Sequence, residues 1–442
     1  MGPFKTYDIR ALYPDEIDED FAFHLGFAFA TYLEKNKLGK KVVIGRDFRH
    51  GSKDLQDSFV EACVMAGLDV TLIGICMTPC LYYYTKEFDV GVMITASHNP
   101  KEYNGFKFCL KNAVVLNYDS GLSEIEELMK DVHTFEVKDG SCTTKTIEAY
   151  HNAVVQLFKK EDFKDLKVVV DSGNGVAGIS YPEIFGALDI NYHPLFLEFD
   201  SDFKGRGPNP TLPGSLDVLK QNVLAHKADI GIAFDADADR LVVLDSKGKE
   251  FEASNIGKVL AKYYMEESKT KKESFVLDLR LSKSLSEYIH DLGGDVFISR
   301  VGQSFLKNKM LRSGAVLGIE VSGHIMHKSL MNIDDPVLSA LVFMKQLKKE
   351  GVSSAELNDA LSKYYMQSFD VRVKDKNLVL ENIKKHFKDA RLEFTDGISF
   401  ETNDYWGNIR PSNTEPLLRI TVEARTQEKS AEILGILQSL AQ

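Results

Sequence analysis

Cysteine, long apolar runs and positive charge are all scarce in this 442-residue chain. There are five cysteines, at 63, 76, 80, 109 and 142, an odd number with no C-x-x-C pair. A disulfide framework is excluded, and with no signal peptide ahead of them the expectation is reduced thiols in a cytoplasmic protein. No apolar run approaches the roughly 20 residues that a membrane span needs. Lysine and arginine total 54 against 65 aspartates and glutamates, a net charge of −11. That balance argues against nucleic acid or an anionic membrane as the main partner, since both need a basic face. An anionic ligand would need its cations gathered locally against the overall field. The first six residues fit the short myristoylation pattern, but such patterns match by accident. What is present is an ordinary globular composition, 44% hydrophobic and 27% charged, at a length suggesting about three domains.

The apolar run Val90-Gly91-Val92-Met93-Ile94 reads as a buried strand that delivers Thr95-Ala96-Ser97-His98-Asn99-Pro100. Asn99-Pro100 is a turn signal, so Ser97 and His98 sit where a strand-end loop can meet a ligand. Before it, a helix is expected over 21–35, strands at 42–44 and 69–73, and a helix carrying Leu55, Phe59, Cys63 and Ala66. After it, Asn104-Gly105 reads as a turn just ahead of Lys107, and helices are expected near 121–131 and 146–159. The polar piece near 136–146 reads as a linker. Alternating strands and helices predict parallel βαβ units.

The pattern then repeats. Each of three units opens on a strand with an aspartate loop, at Asp47, Asp171 and Asp278. Each later has a glycine-containing apolar strand that delivers a polar loop: 89–97, 229–239 and 316–324. The end of the chain differs. An alternating strand at 369–373, a helix near 377–389, strands near 398–402, 405–410 and 416–423, and a helix over 427–440 suggest an antiparallel sheet. The fold class expected is α/β: three related α/β/α domains with mixed sheets plus a C-terminal α+β domain with an antiparallel sheet. Ligands collect at strand carboxyl ends in such sheets, so three loops can converge on one cleft.

The loops differ in chemistry. Asp235, Asp237 and Asp239 can wrap one ion, because three close carboxylates repel unless a cation sits among them. Oxygen ligands suit Mg²⁺ or Ca²⁺ rather than zinc. An EF-hand is excluded, since Arg240 stands at the turn-glycine position and Ser246 at the twelfth. Octahedral Mg²⁺ held by three aspartates keeps open positions for water or a phosphate oxygen. A phosphorylated Ser97 would offer such an oxygen, with Lys107 and His98 nearby in sequence for acid–base work. Arg410-Pro411-Ser412-Asn413-Thr414 is dense in phosphate donors. Glu320, Ser322 and His324 alternate, which suits sugar hydroxyls.

These motifs, with Tyr7-Asp8-Ile9-Arg10 at the start, resemble the α-D-phosphohexomutase family in its phosphomannomutase/phosphoglucomutase branch, in order and over essentially the whole chain. The resemblance implies four domains around a cleft: 1–142 with the phosphoserine, 143–248 with the metal loop, 249–364 with the sugar-specificity loop, and 365–442 with the phosphate-binding loop. It implies exchange between hexose 1-phosphate and hexose 6-phosphate through a 1,6-bisphosphate, with Ser97 carrying the phosphoryl group. Ser97, Asp235, Asp237 and Asp239 would ligate one Mg²⁺, and glucose 1,6-bisphosphate would act as activator. Arg10, Lys107 and His324 match proton-transfer or charge-stabilising positions. Tyr7, His98, Arg280, Gln303, Glu320, Ser322, Arg410, Ser412, Asn413 and Thr414 match substrate contacts, and Arg240 lies beside the metal. The partner is then a small phosphosugar, with the chain a monomer or homodimer. His98 is expected to orient its loop, and Lys107 and His324 to move protons.

Some residues depart from the pattern. Gln303 stands where relatives often have histidine, and Ala11 follows Arg10 in place of a common glycine. Ala236 and Ala238 replace glycines, which is tolerable only at negative φ. Phosphoglucosamine mutase, a simple phosphatase and a catalytically silent binding protein of the same fold are the alternative readings. Val321 favours the hexose branch over the amino-sugar branch, and the full set of motif residues argues against a silent protein.

Overall fold

The computed structural model describes residues 2–130, 137–373, 375–411 and 417–441. The first sheet contains β1 (Ile9–Leu12), β2 (Lys41–Arg46), β3 (Asp69–Ile75), β4 (Val90–Ile94), β5 (Tyr103–Leu110), β6 (Val114–Val115) and β7 (Ser141–Thr144). The second holds β8 (Lys167–Asp171), β9 (Asn191–Leu195), β10 (Ile230–Phe234) and β11 (Leu241–Asp245). The third holds β12 (Ser274–Asp278), β13 (Asp295–Ser299), β14 (Leu317–Ile319), β15 (Ile325–His327) and β16 (Ile333–Asp334). The fourth holds β17 (Tyr365–Arg372), β18 (Arg391–Glu393), β19 (Ile398–Glu401), β20 (Tyr405–Pro411) and β21 (Leu417–Ala424).

The repeat seen in the sequence is a repeat of topology. β2, β8 and β12 each lie between two parallel neighbours: β3 and β4, β9 and β10, β13 and β14. β4, β10 and β14 then pair antiparallel with β5, β11 and β15. Every residue of β4, β10 and β14 is buried, which is why these strands read as unbroken apolar runs rather than alternating ones. Their shared glycine makes room for a covering side chain. A Cβ on Gly91, Gly231 or Gly318 would lie 2.7, 2.7 or 2.5 Å from Thr85, Val223 or Met310. Each functional loop therefore leaves the carboxyl end of a buried parallel strand and returns through an antiparallel one.

One continuous apolar core runs through the first three sheets, including Met93, Val168, Phe234, Phe275 and Ile319. At its centre is the helix Pro336–Glu350, with eleven of fifteen residues buried. Each fully buried Leu, Phe or Val there contributes about 1.5–3 kcal/mol. Its N-cap, Asp335, accepts from the Leu338 N–H at 2.9 Å and from the Tyr150 hydroxyl at 2.8 Å, which joins the second unit to the third. The fourth sheet is wholly antiparallel and has its own core with the helices Lys376–His386 and Gln427–Leu440, built on Ile383, Phe400, Ile409, Ile420 and Leu437.

Three local expectations change. Asn104-Gly105 is not a turn; it lies inside β5, between β1 and β4. The Asn104 amide is spent on the His50 carbonyl and Ser52 hydroxyl instead. Part of the expected linker is β7, an exposed edge strand parallel to β3. A boundary after 142 would cut that strand, so the first sheet runs to Thr144. Gly105 is required by packing, since a Cβ there would lie 2.0 Å from the Ile9 carbonyl oxygen. Gly105→Ala is expected to force β1 off the sheet edge and cost about 1–3 kcal/mol. The readout is the midpoint of the first thermal transition, and an unchanged midpoint would contradict the assignment.

Candidate active site

β4 ends at Ile94 and the chain turns at Ser97, whose own φ of 53° is left-handed. Non-glycine residues held this way cost of order 1–3 kcal/mol, and persist where the surroundings over-determine them. Here the surroundings are visible. The Thr95 hydroxyl accepts from the Ser97 N–H at 2.9 Å. The buried Arg49 guanidinium donates to the carbonyls of Ser97, Asn99 (2.7 Å) and Pro100 (2.8 Å) and pairs with Asp47 at 3.2 Å. His98 Nδ1 lies 3.1 Å from Ser97 Oγ. Burial, then Arg240 and Arg10, push that imidazole down to about 3, which keeps it neutral.

Asp235, Asp237 and Asp239 sit on the loop after β10, all buried, with carboxylate oxygens within 4.8 Å of one another. Asp235 Oδ1 accepts from the N–H groups of Asp239 (3.1 Å) and Arg240 (3.2 Å), closing the loop on itself. Its Oδ2 lies 3.4 Å from Ser97 Oγ. Lys107, on β5, donates to Asp237 Oδ2 at 2.6 Å and Asp239 Oδ2 at 2.7 Å. Asp237 Oδ2 also accepts from the Thr78 hydroxyl at 2.7 Å. Asp237 Oδ1 is buried without a partner, while Asp239 Oδ1 is buried with the His324 ring at 3.2 Å and the Arg240 guanidinium at 3.8 Å. An orphaned carboxylate oxygen in a cluster of hard ligands fits a divalent cation. Burial and its two acidic neighbours raise Asp235. Burial also opposes charge on Asp239, but Lys107 and His324 outweigh it. Ala238 departs from expectation: its φ is 54°, so the loop holds an alanine in the left-handed region.

The third loop closes over the second. The Leu241 N–H donates to the Gly323 carbonyl at 3.1 Å. His324 Nε2 lies 3.2 Å from Asp239 Oδ1, and its Nδ1 is 3.2 Å from Glu320 and 2.8 Å from Ser322 Oγ. Burial disfavours its charge, yet Asp239 and then Glu320 push the imidazole up to about 10. Glu320 is driven down to about 2, burial being outweighed by His324 and Arg280. Asp239, His324 and Asp334 also form a compact acidic group. The imidazolium and the buried Lys307, 3.8 Å from Asp334, supply its positive charge. Gln303 faces the cleft with its amide nitrogen committed to Asp334.

A single device supports the loops. Asp171 holds Arg206 at 2.8 Å, and Arg206 donates to the Phe234 carbonyl at the end of β10. Asp278 holds Arg280, which reaches Glu320 at 3.3 Å. With Asp47 and Arg49, each unit has an aspartate at the end of the strand that lies between two parallel neighbours and an arginine gripping the loop next door. Arg49, Arg206 and Thr78 were absent from the sequence-based site.

The loops enclose a cleft of about 870 Å³. Tyr7, Arg10, Ser97, His98, Lys107, Asp239, Arg240, Arg280, Gln303, Glu320, Ser322, His324 and Arg410 line it, while Asp235 and Asp237 lie behind the wall. Arg10 donates to Asn99 at 2.7 Å and pairs with Asp8. The Tyr7 hydroxyl is 3.4 Å from the Val301 carbonyl. From the fourth sheet, Arg410 and its register partner Arg419 face the cleft; Arg419 was not anticipated. Ser412, Asn413 and Thr414 lie outside the described residues. Among the described residues, seven lysines and arginines line the cleft against four aspartates and glutamates, reversing the sign of the whole chain. That is the local concentration of cations an anionic ligand requires.

Fold and site together define a phosphoryl-handling enzyme built of four domains. Family models match along the chain: phosphoglucomutase/phosphomannomutase alpha/beta/alpha domain I over 1–136, domain II over 148–248, domain III over 252–365, and the C-terminal domain over 370–435. The chain belongs to the phosphoglucomutase/phosphomannomutase family and is a mutase. It is 35% identical to a phosphomannomutase of Methanocaldococcus jannaschii, across 99% of this chain and 98% of that protein. It is 30% identical to a phosphomannomutase/phosphoglucomutase of Pseudomonas syringae, across 98% and 93%. A crystal structure of a phosphoglucomutase/phosphomannomutase family protein from Burkholderia thailandensis superposes with a TM-score of 0.90 at 27% identity, covering 99% of this chain and 96% of that one. No helix among the described residues is long and apolar enough to cross a membrane.

Arg49→Lys keeps the charge but removes the fork that spans three carbonyls. It is expected to lower kcat by about 10- to 100-fold with little change in KM, because small misplacements of a reacting group cost that much. Steady-state kinetics check this, and an unchanged kcat would refute the clamp.

Proposed function

We propose that the chain interconverts hexose 1-phosphate and hexose 6-phosphate, of mannose, glucose or both, using Ser97 as the phosphoryl carrier. The observation that carries this reading is Ser97 Oγ, held on a strained turn at the cleft, 3.4 Å from a buried aspartate cluster in which Asp237 Oδ1 is orphaned. Asp235, Asp237 and Asp239 would hold one Mg²⁺, with phosphorylated Ser97 adding an oxygen. Bound there, the ion supplies charge neutralisation for phosphoryl transfer.

The chain's own residues do the rest. Arg410, with Ser412, Asn413 and Thr414, grips the phosphate that is not reacting. Glu320 and Ser322 accept sugar hydroxyls in either orientation, with Tyr7, Arg280 and Gln303 at the sides. The substrate hydroxyl oxygen bonds to phosphorus as the P–Oγ bond of phosphoserine breaks. The hydroxyl proton passes to a basic side chain, and Ser97 Oγ is left to be reprotonated. The bisphosphate then turns over, and its other phosphate returns to Ser97 Oγ. Lys107 and His324 both carry their protons in the resting site, because Asp237 and Asp239 hold the first and Asp239 and Glu320 the second. Were those aspartates to hold a cation, both would lose countercharge, and each could then exchange a proton with the substrate hydroxyl. Arg10 and Arg240 set guanidinium donors against the transferring group and stabilise it. Glucose 1,6-bisphosphate would re-prime a dephosphorylated Ser97. Five free thiols accord with work in the cytoplasm on a small soluble phosphosugar, as a monomer or homodimer.

Intact-mass analysis is expected to show a phosphate adduct on the purified protein that Ser97→Ala lacks, with mutase activity lost in the variant and on chelation of the metal. Comparing mannose, glucose and glucosamine 1-phosphates with Mg²⁺ then reads substrate class. Wild-type protein with neither adduct nor activity after priming with glucose 1,6-bisphosphate would overturn the proposal. Preference for glucosamine 1-phosphate would overturn the choice of sugar.

A further inference from the structure

Thr78 opens the helix Thr78–Tyr84, followed by Pro79. It belongs to the first unit, yet both its polar groups are spent on the second. Its backbone N–H, a first-turn amide with no partner inside its own helix, donates to the Asp237 carbonyl at 3.0 Å. Its hydroxyl donates to Asp237 Oδ2 at 2.7 Å. Thr78 is fully buried, and so is Asp237. Lys107 donates to the same Oδ2 at 2.6 Å. With two donors on Oδ2, the carboxylate cannot rotate without breaking both contacts, and Oδ1 is left buried without a partner.

We infer that Thr78 is a positioning residue for the metal loop: it selects which oxygen of Asp237 is offered to the cation, and it ties that loop to the unit carrying Ser97. A threonine there for helix initiation alone would need neither bond to Asp237. The inference rests on the reading of the three aspartates as the Mg²⁺ site. Its physical content is that of an outer partner to a metal ligand, whose loss typically costs about 10- to 100-fold in metal affinity or activity.

The test uses full-length dephosphorylated protein, with Mg²⁺ binding followed by titration calorimetry and Mn²⁺ binding by electron paramagnetic resonance. Thr78→Val keeps the shape and removes the hydroxyl; it is expected to weaken both ions about tenfold or more. Thr78→Ser is expected to bind like the wild type. The Mg²⁺ concentration for half-maximal turnover should rise in step, while KM for the phosphosugar stays put. If Thr78→Val does not fold, Thr78→Ala makes the same comparison. A purely structural role would lower yield or melting temperature and leave ion affinity unchanged, and that result overturns the inference while the metal site stands. Wild-type protein that binds neither ion overturns the metal-site reading and this inference together.

Discussion

Three carboxylates buried within a few ångströms of one another are the constraint to which the rest of this molecule answers. Asp235, Asp237 and Asp239 have essentially no contact with solvent. Each such ion loses several kcal/mol of hydration, which only close counter-charges and hydrogen bonds can offset. The chain brings those from every direction. Lys107 comes from the first unit, Arg240 from the loop itself and His324 from the third unit. Each counter-charge also faces the cleft, so balancing the buried aspartates and building the reactive surface are one arrangement. Asp237 Oδ1, still unpaired, marks where a cation would complete the balance.

The sheet topology makes this convergence possible. Three copies of one four-strand pattern end in three loops at the same place in the pattern. A shared apolar core keeps the three copies from moving independently. The aspartate–arginine grip repeats with them, so each loop is anchored by a charge from the strand beside it. The fourth sheet has a separate core and reaches the cleft through Arg410 and Arg419. Two guanidiniums on register-paired residues form a surface that an anion can meet in bidentate fashion.

Much of this was legible because it is local. Unbroken apolar runs ending in polar loops mark β4, β10 and β14, and the final helix has the bounds its periodicity suggests, 427–440. The polar loops that meet at the cleft were legible too, because each directly follows one of those apolar runs. What was hidden depends on distant partners. Thr78 looks like an ordinary helix start until Asp237 lies above it. Arg49 and Arg280 share a D-x-R spacing, at Asp47-Phe48-Arg49 and Asp278-Leu279-Arg280, that could have exposed the grip. The second unit breaks the pattern by drawing Arg206 from a later loop. Asn104-Gly105 misled because its glycine answers to the Ile9 carbonyl across the sheet and not to a turn. Ala238 misled because the buried loop imposes a left-handed φ that propensity alone disfavours.

A cation held by the three aspartates would lie directly beside the Ser97 phosphate. The most direct measurement is the phosphorus NMR resonance of the phosphorylated protein as Mn²⁺ replaces Mg²⁺. The expected result is strong paramagnetic broadening of the phosphoserine signal, abolished in Asp237→Asn. A phosphoserine signal that stays sharp at Mn²⁺ concentrations supporting turnover would contradict the claim.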